Sequence, residues 1–412
     1  MATPVATPAG IAAVQDILKE VFVSNTLESQ LLEDTMILDW IDEVTEYTDS
    51  DGLKASVPIK TGRTGAVSAR AIGQQLTPAD HQKVAKASYN YKNLYLTVQV
   101  EGPVVARMET NRQAVVREID FEINGGLQDF KRDTVRQLHR DGTAAITVAG
   151  LPGGASDATV LLGADNYDVL DKGWLWEGQW IDIGTVADPV LDAEGLQIIS
   201  IDDDPAAPSI TLNAATATTA ASDISLFGNR TANVSNEIMG LEGIVSDSIV
   251  LGGLDPATAT YWKSVVEENG GTPRALSNNL LNSTNRKIRQ KGGKITDVLG
   301  DLVQQQAYYE LLQTQVRFAG DKKLEQGNVE GPQFNDVTFT GDPDCLAGRV
   351  YLLQKGALHM YSAGAMAWQN QTTGGDILAW KQDFDAFVAR AAKYTEIGTD
   401  RRRSLGVLTD LS

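Results

Sequence analysis

The chain has 412 residues, 42% hydrophobic and 22% charged, an ordinary globular composition whose length suggests two to four domains. Its one cysteine, Cys345, excludes an intramolecular disulfide and a cysteine-rich metal site, and three scattered histidines (His81, His139, His359) argue against a histidine metal cluster. The formal charge of −19 opposes tight sequence-independent binding of nucleic acid over the whole surface, because that affinity comes from neutralised phosphates, and it favours solubility.

No apolar run approaches the roughly 18 residues of a membrane span. The start, MATPVATPAG, lacks the basic and apolar regions of a secretory signal. A soluble protein made inside the cell is expected. Residues 1–10 read as a flexible tail. Ile11, Val14, Leu18, Val21 and Phe22 then recur at helical spacing, and Leu31, Leu32, Met36, Leu38 and Trp40 follow in a second apolar stretch. These patches need cover, either on the chain's own core or on a neighbouring subunit.

A turn signal at Asp49-Ser50-Asp51-Gly52 opens a long two-stranded β segment over about 54–100. Pro58 confines its first strand to an edge. The middle, 61–86, is rich in Gly, Ala, Thr and Gln and reads as a mobile tip. In the return strand Tyr89, Tyr91, Tyr95 and Thr97 alternate with Leu94, Leu96, Val98 and Val100. A lone hairpin this long is marginal in water, so its faces must find cover. The sequence offers no evident internal partner, which predicts interlocking with copies of itself.

Gly102-Pro103 breaks the strand, and a long amphipathic helix is expected over 104–139. Val105, Met108, Val115, Ile119, Ile123, Leu127, Phe130 and Leu138 form its apolar stripe, with its arginines largely elsewhere. Gly125-Gly126 in its middle costs about 1–2 kcal/mol relative to alanine and marks a break or a bend site.

Residues 158–230 change character. Closely spaced turn residues separate short strands at 159–162, 180–183, 197–201 and 209–212, which indicates a small all-β module. It reads as inserted, because a mixed pattern resumes near Gly240. Helices are expected at 262–268, at 278–291 with Ser277 as N-cap, and at 302–317; strands at 337–339, 349–353 and 405–411. Residues 383–394 fit either helix or strand.

No catalytic signature is present: no phosphate loop, no His-Glu-x-x-His pair, no nucleophile elbow. Leu151-Pro152-Gly153-Gly154 reads as a connector. Asp202-Asp203-Asp204 and Asp342-Pro343-Asp344 offer hard oxygens, but their spacing suits solvated turns better than a cation site. His139 lies near a helix C-terminus, where positive charge is favoured.

The order of these segments resembles one family. An N-terminal arm leads to an extended loop ending in Asn93-Leu94-Tyr95-Leu96-Thr97-Val98-Gln99-Val100, then a long helix closing on Arg140-Asp141-Gly142-Thr143. Gly240-Leu241-Glu242-Gly243-Ile244-Val245 and Asp342-Pro343-Asp344-Cys345 before Val350-Tyr351-Leu352-Leu353 follow. The chain resembles the major capsid protein of tailed double-stranded DNA bacteriophages. The resemblance implies an α+β fold: an N-terminal arm (1–48), an extended β-hairpin loop (49–101), a peripheral domain with a long spine helix (102–157 and 365–400), an inserted small all-β domain (158–230), an axial domain (231–364) and a C-terminal segment (401–412).

It also implies a structural protein, not an enzyme, with no catalytic residue, metal or cofactor. Such a protein self-assembles as hexamers and pentamers into an icosahedral shell around phage DNA. Its place is the virion capsid, assembled in the host cytoplasm. Expected partners are further copies of itself, scaffolding, portal and decoration proteins, and packaged double-stranded DNA through weak non-specific contact, with no membrane and no small-molecule substrate. Lys54, Lys60, Arg63, Arg70, Lys83 and Lys86 are the expected intersubunit contacts of the loop, by ordinary ion pairs or, as in some shells, by covalent cross-links. Gly125 and Gly126 would form the spine-helix hinge. Arg132, Arg136, Arg140, Arg401, Arg402 and Arg403 would make interior or intersubunit basic contacts. Three alternatives stay open: an encapsulin-like nanocompartment shell of the same fold, a metal-dependent enzyme using the aspartate clusters, and a tail or adhesion β protein.

Overall fold

Alternating and β-branched segments dominate the chain, and they gather into sheets. The computed structural model describes residues 36–47, 52–103, 112–150, 157–162, 167–185, 191–204, 207–216, 222–231, 234–313, 333–335, 337–369, 378–381 and 384–412. The chain divides into two compact units, residues 145–228 and residues 35–144 with 229–412. The helical spacing at 11–22, the turn at 49–51 and the connector at 151–154 lie outside the described residues.

In the larger unit a 14-residue strand, Ala386–Thr399, organises the first sheet. It pairs antiparallel with Lys92–Glu101 along one edge and with Leu358–Ser362, Ala367–Trp368 and Leu378–Trp380 along the other. Asp42–Val44 adds parallel to Leu358–Ser362. The ambiguity at 383–394 thus resolves as strand. The long helix is described over Arg112–His139, ending where expected.

The second sheet runs Val265–Glu267, Gly406–Leu408, Val350–Leu353, Asp297–Gly300, Val337–Gly341, Gln333–Phe334. Two helices, Asn278–Gln290 and Leu302–Gln313, accompany it. Ser277 caps the first, its side chain accepting the Leu280 amide at 3.3 Å. Leu281 and Ile288 are buried with Val298, Phe339 and Leu352.

Several boundaries differ from the sequence expectation. The return strand of the loop breaks at Tyr91: Lys83–Asn90 completes the hairpin, whereas Lys92–Glu101 joins the first sheet. Leu358–Ser362, expected in the axial domain, also belongs to that sheet. Gly406–Leu408 is not a separate tail segment but lies inside the second sheet. The expected helix at 262–268 is a single 3-10 turn, Thr260–Trp262, followed by the strand Val265–Glu267. The paired Val265-Val266 favours the pleated surface, and the neighbouring strand supplies its hydrogen bonds.

The smaller unit is a closed barrel in the order Asp223–Leu226, Thr147–Gly150, Asp157–Leu162, Ser209–Thr216, Ala193–Asp202, Trp180–Gly184. It begins before residue 158, because Thr147–Gly150 is needed to close it. Closure removes exposed edges. Val160, Leu162, Ile181, Ile183, Ile198, Ile210, Leu212 and Ile224 are its buried apolar residues. Asp182 fixes two of its turns: its carboxylate accepts the amides of Gly195 at 2.8 Å and Gly228 at 2.9 Å, both glycines having positive φ. Burial nonetheless pushes that carboxyl up.

Candidate assembly interface

The extended arm is a hairpin of Lys54–Gly62 and Lys83–Asn90 in antiparallel register, Lys54 opposite Asn90. Side-chain alternation sorts it into two faces. Ala55, Val57, Ile59, Ala87 and Tyr89 are buried on the inner face. Lys54, Pro58, Lys60, Val84 and Lys86 fall on the other. With only two strands both are edges, so Pro58 leaves no ladder donor missing that matters.

The inner face is covered by the arm's own chain, which corrects the expectation that it waits for a sister molecule. Tyr89 stacks on Tyr361, its hydroxyl donates to the Thr399 carbonyl at 2.7 Å, and it accepts the Thr399 amide at 3.1 Å. Ser88 donates its amide to the Gly252 carbonyl at 2.9 Å. Two glycines permit this approach. A Cβ on Gly398 would stand 2.5 Å from the Tyr89 ring, and one on Gly252, at φ +61°, 2.9 Å from the Ala87 Cβ. Residues 36–47 of the N-terminal arm likewise pack inward, with Ile37 and Ile41 buried in the same core.

Beyond the base the arm is different. Val67, Ile72, Leu76 and Val84 are large and exposed, Ile72 completely. Arg63, Arg70, Lys83, Lys60 and Lys86 are exposed too. The tip is not slack. The Asp80 carboxylate accepts the Gly65 and His81 amides, both at 2.8 Å, and these bonds hold it below the usual carboxylate range. Thr64 Oγ1 donates to the Asp80 carbonyl at 3.1 Å, and Arg70 reaches Ser68 and Thr77. A braced loop presenting apolar and basic side chains is suited to meet a partner surface with little ordering cost.

The long helix runs unbroken through Gly125-Gly126. The two glycines are not equivalent. A Cβ on Gly126 would lie 3.1 Å from Leu96 Cδ1 and 3.3 Å from Val98 Cγ2, whereas one on Gly125 would meet nothing within 4 Å. Gly126 therefore sets the closeness of helix to sheet, and Gly125 only loosens the backbone.

The last turns of that helix are surrounded on every side, so even polar residues are buried: Arg136, Gln137 and His139. Arg136 pairs with Glu237 through both terminal nitrogens and with Asp133 at 2.9 Å. Gln137 Oε1 accepts the Ile238 amide at 3.2 Å. Arg132 pairs with buried Asp344, and His139 Nε2 lies 3.3 Å from an Asp342 oxygen. Burial pushes the Asp342 carboxyl up, but His139, the Asp344 amide and Arg132 together hold it below the usual range. The acidic motif is thus a socket for the helix end. Gly240 crosses the same end, where a Cβ would fall 2.3–2.5 Å from the carbonyl oxygens of Gln137, Arg140 and Leu138. The three segments that carry the family resemblance meet at this one place.

Of the basic run, Arg402 is fully buried. It donates to the carbonyls of Ile244 (2.8 Å), Ile249 (2.8 Å) and Gly243 (3.0 Å), and burial pushes it down to about 10. Arg136 and Arg402 are therefore internal struts, which corrects their expected role as interior or intersubunit contacts. Arg401 is exposed beside Asp400, 3.5 Å away, and Arg403 is exposed. Asp202 accepts the Asp204 amide at 3.3 Å, a solvated turn. Among the described residues no group of three or more His, Cys, Asp or Glu is placed to hold a metal ion, and no helix is long and apolar enough to cross a membrane.

No protein-family model and no curated protein matches the chain. Solved structures do. The capsid of cyanophage A-1(L) matches with a TM-score of 0.59 and 12% identity, over 94% of this chain and 96% of that one. The capsid of a native GTA particle matches with a TM-score of 0.48 and 6% identity, over 96% and 98%. The capsid of the Myoviridae phage XM1 matches with 0.46 and 9%, over 94% and 95%. The first of these carries the argument: from end to end, this chain has the fold of a phage capsid protein. The shared property at such identity is architecture, not sequence.

Proposed function

We propose that the chain is the major capsid protein of a tailed double-stranded DNA phage, a structural subunit with no catalytic task. Hexamers and pentamers of it close into an icosahedral shell around the genome, in particles assembled in the host cytoplasm. The observation that carries this reading is the end-to-end likeness to the cyanophage A-1(L) capsid. The braced arm tip adds to it: Ile72 and Leu76 stand 107% and 79% exposed on a basic loop, an arrangement that suits a contact with another copy. Arg63, Arg70, Lys60 and Lys83 are the proposed intersubunit side chains, and Arg140, Arg401 and Arg403 are the basic groups left to face a neighbour or the genome. A portal and scaffolding or decoration proteins would complete the particle.

The test is electron microscopy of the protein expressed alone. Capsomers or closed particles of uniform diameter are expected. Strict monomers at high concentration would remove the reading. Particles that form but take up a partner enzyme, with no phage portal or DNA, would mark a nanocompartment instead.

A further inference from the structure

We infer that the tip of the extended arm docks on the barrel unit of a second copy, through opposite charge flanking apolar contacts. The inference rests on the shell reading and names the surface that receives the arm. The arm carries Lys54, Lys60, Arg63, Arg70, Lys83 and Lys86 against a single acid, Asp80, in a chain whose formal charge is −19. Asp80 is already engaged by the Gly65 and His81 amides. The tip is therefore a cationic island on an anionic protein.

The barrel is its complement. Residues 145–228 hold thirteen Asp and Glu and one basic residue, Lys172, which pairs with Asp168 at 3.0 Å. Glu177, Asp202, Asp203 and Asp204 are exposed. Glu177 is tied to the strand that leads into the three aspartates, accepting the Ile201 amide at 3.4 Å. Trp176 and Ile199 on the same unit are 52% and 58% exposed. Each surface thus combines one sign of charge with large uncovered apolar side chains, and the signs are opposite. Exposed ion pairs are individually weak. Clustered opposite charges steer encounter and fix register, while apolar burial supplies affinity. DNA is the rival occupant of a cationic tip, and it would not need the barrel.

The test uses charge reversal in the full chain. Arg63→Glu with Arg70→Glu should lose particles at physiological salt, and so should Asp202→Lys with Asp203→Lys. The chain carrying all four changes should assemble again. Thermal melting of each unassembled variant checks that it folds. A photo-cross-linking residue at Ile72 in the otherwise native chain gives a second readout. It should join the barrel of an isotope-labelled second copy. A reversed chain that assembles like the native one, a folded four-change chain that does not, or cross-links that reach only DNA or other surfaces would each overturn the contact. Native chains that never form particles would defeat the shell reading itself. Particles indifferent to the reversals would leave that reading standing and remove only this contact.

Discussion

Tyr89 stacks on Tyr361 with ring centroids 5.2 Å apart and an interplanar angle of 20°, and this pair fastens the extended arm to its own body. Everything distal to it is left to meet other molecules. Tyr89→Phe keeps the stack but removes the bonds to the Thr399 backbone. It should cost about 1–3 kcal/mol, the range for orphaning a buried polar group. Tyr89→Ala should cost about 3–5 kcal/mol and loosen the hairpin base. Urea denaturation of the unassembled protein measures both. Equal stabilities for native and Phe variants would show that the hydroxyl bonds contribute nothing.

The two central glycines of the long helix should respond oppositely. Gly125→Ala meets open space and should stabilise by about 1 kcal/mol. Gly126→Ala presses on Leu96 and Val98 and should lose that gain or reverse it. Chemical denaturation checks the pair. If Gly125 serves as a bend point between precursor and expanded shells, Gly125→Ala should also slow expansion while leaving assembly intact. Normal expansion kinetics would dismiss the hinge.

Arg402 should behave as a core residue despite its place in a basic run. Arg402→Met orphans the carbonyls of Gly243, Ile244 and Ile249, and a loss of roughly 3 kcal/mol or more is expected. Arg401→Gln and Arg403→Gln should stay within about 0.5 kcal/mol of the native chain. Comparable losses for all three would contradict the assignment of one strut and two surface groups.

Stability should fall as pH rises through neutrality. Burial raises the Glu396 carboxyl to about 7, from an ordinary 4.5, with the Met239 and Ile397 amides and Lys92 only partly opposing the shift. A folded-state value above the unfolded one means that the neutral form is favoured on folding. Its contribution is complete below about 4.5 and is lost as pH climbs towards 7, roughly 3 kcal/mol in all. Glu396→Gln keeps the acceptor for both amides and should flatten the decline between pH 5 and pH 8. Asp342, held low, works in the opposite sense: its contribution is present above the ordinary carboxylate range and disappears in acid. Denaturation midpoints across pH for native and Gln chains decide. Parallel profiles would mean that Glu396 does not titrate in this window.

The strands of the barrel were legible because turn residues punctuate them and apolar residues alternate within them. Ser277 and the helix end at His139 were legible for the same local reasons. Pairing partners were not. Alternation from Tyr89 to Val100 reads as one strand, yet the chain leaves the hairpin at Tyr91, and alternation cannot say which sheet takes the continuation. Nor could the sequence distinguish Arg402 from Arg401 and Arg403. The carbonyls that receive it lie some 150 residues earlier, in a segment recognisable only for its glycines. The arm's internal cover was invisible in the same way, because Tyr361, Gly398 and Gly252 join Tyr89 only in three dimensions.

The most direct measurement is a cryo-electron microscopy reconstruction of particles assembled from the purified chain. The account predicts a closed shell in which residues 63–82 of each subunit lie against a neighbouring copy, with Ile72 and Leu76 removed from solvent. A chain that stays monomeric, or a shell in which every arm tip projects free into water, would contradict it.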